Sequence, residues 1–128
     1  MRLGGALALL AAAACAHAAD PAAERATLAA GERAFQKCYS CHSLEGSDPA
    51  TQGPSLKGIL GRPVAGEDGF AYSPAMRAYR TVRPRWTREA LDAFLADPQG
   101  VVPDNAMGFF GIANDQERRA LVEFLARS

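Results

Sequence analysis

The sequence predicts an all-α domain of three main helices plus one short helix, joined by long Gly/Pro-rich loops. Three observations predict this class. Apolar residues recur at spacings of three and four in three separate stretches, each bounded by start or stop signals. No stretch alternates apolar and polar residues as a half-buried strand does. Between the first two periodic stretches, nine glycines and prolines (46, 49, 53, 54, 58, 61, 63, 66 and 69) break any regular repeat. With 128 residues, 48% hydrophobic and 22% charged, the chain is long enough for one core and not for two.

Residues 1–18 stand apart from that core. Met1-Arg2 is a short positive start, Leu3 to Ala14 is an apolar run, and Ala16-His17-Ala18 fits the small-x-small rule for cleavage, so an export signal cut after Ala18 is expected. The run is shorter than the ~20 residues a spanning helix needs, and no stable membrane insertion is expected. Lipidation at Cys15 is an alternative, weakened because Ala12-Ala13-Ala14 lacks the leucine such signals carry. Cleavage leaves two of the three cysteines and one of the two histidines. Residues 19–26, Ala-rich and charged, are expected to form a flexible tether, and 27–128 the folded domain.

In the first helix Leu28, Gly31, Phe35 and Cys38 share one face, and Gly31 suggests a close approach by another backbone. Ser73 as N-cap and Pro74 at the first helical position predict a short helix over 75–79. Trp86-Thr87 opens the next, with Leu91, Phe94 and Leu95 inward and Asp97-Pro98 as its stop. A loop over 99–113 follows. Asn114 with Glu117 three positions later reads as a capping box for the last helix, whose inner face is Leu121, Phe124 and Leu125. So few helices supply too little apolar packing for so much ordered loop, unless a large apolar cofactor fills the centre.

Cys38-Tyr39-Ser40-Cys41-His42 names the cofactor. Two thiols one turn apart, with a histidine immediately after, match covalent haem attachment: the thiols add to two vinyl groups on one porphyrin edge, and His42 lies under the iron. A thiol–disulfide redox pair wants a βαβ setting that this sequence lacks. A structural zinc site wants a second Cys/His pair, and none follows. With no second histidine in the processed chain, the sixth ligand must be Met76 or Met107. Met107, in the irregular segment from Val102 to Ile112, is preferred over Met76 on its short helix.

From about residue 30 to 125 the chain resembles a class I cytochrome c, of the mitochondrial-like or bacterial soluble monohaem type. The resemblance is carried in order by Gly31 and Phe35, the Cys38 to His42 motif, Gly53 to Arg62, Gly69 to Tyr72, Trp86, Leu91 to Pro98, Val102-Pro103 through Met107, and Leu121 with Phe124. It implies the cytochrome c fold wrapped around one haem c, attached through Cys38 and Cys41 with His42 and Met107 as axial metal ligands. It also implies that the Pro54 carbonyl accepts a hydrogen bond from His42, and that Arg62, Tyr72 and Trp86 lie near a haem propionate. Phe94 stands where a tyrosine is usual and Met76 where an asparagine is usual; both changes remove polarity beside the haem.

The implied function is electron transport, not enzymatic catalysis: a periplasmic or otherwise exported one-electron carrier. Its expected partners are redox proteins, such as a membrane oxidase, a quinol-oxidising complex or a dehydrogenase. Zero formal net charge excludes nucleic acid as an evident partner, and a monomer is expected. Lys37 and Lys57 are the only lysines, so the lysine ring used by mitochondrial members is missing. The expected docking surface is instead an apolar rim including Val101, Val102 and Ala106, with mild steering by Arg77, Arg80, Arg83, Arg85 and Arg88.

Overall fold

The structure, a computed structural model, describes residues 20–128; the expected leader, 1–18, lies outside the described residues. The helices run α1 (Pro21–Phe35), α2 (Pro74–Val82), α3 (Arg88–Ala96), α4 (Pro98–Val101) and α5 (Asp115–Leu125). No strand occurs among the described residues.

α1 begins inside the expected tether. The Asp20 carboxylate accepts the Ala22 N–H at 2.9 Å, and Pro21 occupies the first helical position. Four alanines in the first nine residues then propagate the helix, and Glu24 pairs with Arg127 just beyond α5. Residues 21–26 are therefore nearly two more turns of α1, with Asp20 as their cap. They were expected to be loose because all their side chains are small or charged, which is also what a solvent-facing helix surface requires.

α1 and α5 cross where Gly31 is. A Cβ there would overlap the Ala120 carbonyl oxygen and lie 2.5 Å from Phe124 Cβ, so only glycine permits the crossing. The contact continues into the Phe35–Phe124 ring pair, 5.8 Å between centroids. At the start of α5 the Asn114 side chain accepts the Glu117 N–H at 2.8 Å. The capping box is only half formed, because the Glu117 carboxylate pairs with Lys37.

α2 is longer than expected, running three residues past Tyr79, though its start matches: the Ser73 hydroxyl accepts the Met76 N–H at 3.1 Å. α3 buries Ala90, Leu91, Phe94 and Leu95. Asp97 ends it and immediately caps α4, accepting the Gly100 N–H at 2.9 Å. α4 falls within the stretch expected to be loop. Four residues containing a proline and a glycine carry no readable period, so only its cap could have betrayed it.

The long segment between α1 and α2 is pinned at several points. Gly61 and Arg62 exchange backbone hydrogen bonds with Trp86 (2.7 and 2.9 Å), and Val64, wholly buried, donates to the Pro84 carbonyl at 3.0 Å. This short pairing closes the segment against the start of α3 and leaves one large cavity between the segment after α1, α2, α3, the loop after α4 and the end of α5.

Candidate cofactor site

The cavity holds about 390 Å³ and is lined mainly by hydrocarbon and aromatic side chains from the segment after α1, from α2 and α3, from the loop after α4 and from Leu125 of α5. Cys38, Cys41, His42, Pro54, Tyr72, Trp86 and Met107 all face it, and Met76, Phe94 and Asn105 join them.

The His42 wall is made almost entirely by backbone. α1 runs on into a turn in which the Cys41 and His42 N–H groups both donate to the Cys38 carbonyl at 3.0 Å, bringing both thiols to one edge. Neither cysteine is in a disulfide, and burial raises the Cys38 thiol pKa above its ordinary value. The segment after His42 doubles back alongside: Gly53 N–H donates to the Cys41 carbonyl at 2.7 Å and Leu56 N–H to the Ser43 carbonyl at 2.8 Å. This places the Pro54 carbonyl 2.7 Å from His42 Nδ1. A carbonyl can only accept, so Nδ1 carries the proton and Nε2 is left with its lone pair for a metal. The return chain passes so close that a Cβ on Gly53 would sit 2.5–2.9 Å from three ring atoms of His42. The absence of a side chain at Gly53 thus lets the return chain close over the imidazole; in the sequence it opens the Gly53 to Arg62 stretch, with nothing to mark its approach to His42.

The Met107 wall is made by side chains holding a loop. Asn105, buried, accepts the Met107 N–H on Oδ1 at 2.8 Å. Beyond Met107 the chain returns to α3, where Ile112 N–H donates to the Leu95 carbonyl at 2.8 Å. Arg118 on α5 donates to the Ile112 carbonyl at 2.9 Å and to Asp92 and Asp115 at 2.8 Å each; these carboxylate bonds raise its pKa further. Of the expected rim, Val102 is buried at 3% exposure, Val101 is half-buried and Ala106 exposed. Val102 turns inward because α4 ends there and its side chain joins the core. The large exposed apolar group on this loop is Phe110.

On the third wall, Trp86 is buried between Tyr79 and Phe94, with centroid separations of 6.1 and 5.3 Å. The Tyr72 hydroxyl accepts the Glu67 N–H at 3.1 Å, and burial raises the phenol pKa. Arg62 does not line the cavity. Its guanidinium donates to the Ser55 and Lys57 carbonyls, both at 2.9 Å, and lies 3.8 Å from the Glu67 carboxylate. Glu67, whose side chain is only 8% exposed, was not visible as a site residue: an acid in a glycine-rich stretch reads as solvent-facing.

These residues fit a haem c. Two unpaired thiols share one edge of an apolar cavity, an imidazole with a free Nε2 follows them, and a thioether lies on another wall of the same space. No group of three or more His, Cys or acidic residues suited to hold a metal ion directly occurs among the described residues.

A family model described as Cytochrome c matches residues 28–128. The chain is 36% identical over 116 residues to a cytochrome c homolog of Bradyrhizobium diazoefficiens, which covers 90% of this chain and 61% of that protein. It is 35% identical over 98 residues to cytochrome c2 of Agrobacterium tumefaciens, covering 77% of this chain and 88% of that protein. The solved structure of cytochrome cH from Methylobacterium extorquens superposes with a TM-score of 0.70 at 34% identity, covering 79% of this chain and 98% of that one. The chain spans 61% and 51% of the length of two of the curated relatives it matches.

Proposed function

This chain belongs to the cytochrome c family, whose members carry one covalent haem c and serve as electron carriers, and on that footing we propose that it is an exported one-electron carrier with His42 and Met107 as the axial ligands of its iron. The bound group supplies an iron that gains or loses a single electron. Cys38 and Cys41 hold the group by one edge. His42, its Nδ1 proton committed to Pro54, presents Nε2 in a fixed direction. Met107 would offer a neutral, polarisable sulfur from another wall of the same cavity, and the apolar walls would exclude water. With side chains in both axial positions no site is left for oxygen or peroxide, so these residues do not favour an enzyme. The observation that carries the reading is the 2.7 Å His42–Pro54 contact within one cavity shared by both cysteines and Met107.

The leader is read as directing the chain to the periplasm, with removal after Ala18. No helix among the described residues is long and apolar enough to cross a membrane. The partners are taken to be redox proteins of a respiratory or dehydrogenase chain, met through the Ala106–Phe110 edge. That edge has no Lys, Arg or His, and Phe110 stands 96% exposed on it. Arg62, Tyr72 and Trp86 are assigned to the propionate side, where Arg62 also braces the loop through the Ser55 and Lys57 carbonyls.

The test is to co-express the exported chain with a haem-attachment system. The pigment should resist acid–acetone extraction, and the ferric protein should carry the far-red sulfur-to-iron band. A doubly substituted Cys38→Ser, Cys41→Ser chain should carry no covalent haem and lose most of its helical circular dichroism, since the cavity then lacks its filling. A folded, colourless wild-type protein with a Cys38–Cys41 disulfide would overturn the reading.

A further inference from the structure

Val102-Pro103-Asp104-Asn105 forms a tight turn closed by the Asn105 N–H on the Val102 carbonyl at 3.2 Å. Proline is second, and Asp104 at third has φ 63°, the left-handed conformation that a type II turn requires there. The turn carries Asn105 back onto α4, where it is 8% exposed. Its Nδ2 donates to the Pro98 carbonyl at 3.0 Å and to the Val102 carbonyl at 2.9 Å, while Oδ1 accepts the Met107 N–H at 2.8 Å. Exchanging the amide oxygen and nitrogen would set an oxygen against two carbonyls and an NH₂ against an N–H, so three bonds fix one orientation.

We propose that Asn105 is a positioning residue for Met107: its amide fastens the methionine backbone to α4 and thereby sets where the thioether lies in the cavity. The inference rests on Met107 being the axial ligand. α4 is a firm anchor, because Pro98 is wholly buried and Asp97 caps the helix. Met107 itself is only half-buried, and the glycine after it adds no side chain to hold the loop. Asn105 is therefore the direct link between the ligand's own peptide and the core. The residue type follows from the geometry: two donors and one acceptor on a two-carbon side chain are asparagine's alone. Serine retains the acceptor for an N–H two residues on, more weakly, and cannot supply both donors. Aspartate lacks the donors altogether.

The experiment uses ferric holoprotein and follows three signals: the far-red sulfur-to-iron band, helical circular dichroism in a urea series, and Met107 amide exchange by NMR. Asn105→Ala should reduce the equilibrium constant for methionine ligation about fivefold or more, as expected for one lost buried hydrogen bond. The band should vanish at a urea concentration well below that of helix loss, and the Met107 amide should exchange faster. Asn105→Ser should fall between wild type and alanine. Asp97→Ala, which weakens α4 without touching Met107, should lower both urea midpoints together. If Asn105→Ala also lowers them together, Asn105 serves only α4 stability and the inference fails. Met107→Leu separates the premise: a band that survives it overturns Met107 as ligand, whereas a band lost in Met107→Leu and unchanged in Asn105→Ala overturns the Asn105 role alone.

Discussion

The His42 and Met107 walls of the cavity are built in opposite ways. On the His42 side, five residues of sequence carry both thiols and the imidazole, and their geometry is set by backbone hydrogen bonds within one turn and one return segment. On the Met107 side, the thioether sits on a loop whose position depends on side chains: Asn105, two residues away, ties it to α4, and Arg118, from another helix, ties its far end to α5 and α3. A wall made of backbone is hard to alter by substitution except where a side chain is added. A wall made of side chains loosens when one of them is removed. The methionine side is accordingly the one expected to yield first under stress.

Arg118→Met tests that asymmetry most severely. It removes the donor to the Ile112 carbonyl, a group buried at 3% residue exposure, and the partner of Asp92 and Asp115. Both carboxylates are exposed enough to rehydrate, so the loss should lie near the lower end of that for a broken buried pair, about 3 kcal/mol. Urea unfolding should register it, and the sulfur-to-iron band should disappear ahead of helical structure. A loss under about 1 kcal/mol would mean the loop end is held without Arg118.

On the opposite wall, Gly53→Ala adds the atom that the His42 ring forbids. Overpacking of this kind costs about 1–3 kcal/mol. Because the Pro54 contact should survive by a tilt of the imidazole, the low-spin His–Met spectrum is expected to persist with altered EPR g-values. Unchanged g-values and unchanged stability would show that the return segment is softer than its hydrogen bonds suggest.

Raising the pH gives a smaller effect. No Lys or His lies between Pro98 and Ala113, Lys37 is paired with Glu117, and Lys57 belongs to the loop braced by Arg62. Methionine ligation should therefore pass only to hydroxide or to general unfolding. A lysine-ligated low-spin species in an alkaline EPR titration would contradict this placement.

The smallest expected change concerns Tyr72. Burial raises its pKa in the folded protein, so its contribution to stability is full below the ordinary tyrosine pKa and is lost as pH rises from there through the raised value. Tyr72→Phe should flatten that alkaline decline in urea stability. An unchanged slope would remove Tyr72 from the account.

Much of this molecule is local, and local features are legible. The Cys38 to His42 motif, the Ser73-Pro74, Thr87 and Asn114 helix starts, the inner faces of α3 and α5, and the close approach at Gly31 are each written within a few residues. Hydrogen bonding of the first turn and the 3.6-residue period act over that range. Where the reading stopped short, the missing cause was a single cap residue outside any readable period or a contact distant in sequence. Residues 21–26 became helix because Asp20 caps them and Arg127 meets Glu24. α4 exists because Asp97 closes one helix and opens the next, and it turned Val102 inward.

By itself, the sequence determined that the cofactor is a haem c and pointed to Cys38, Cys41 and His42 as the groups to hold it, because covalent spacing is a local property. Only the tertiary structure decided how firmly the methionine is held. The groups that hold it, Asn105 through α4 and Arg118 through α5, act across contacts whose energies depend on burial that no short stretch of sequence displays.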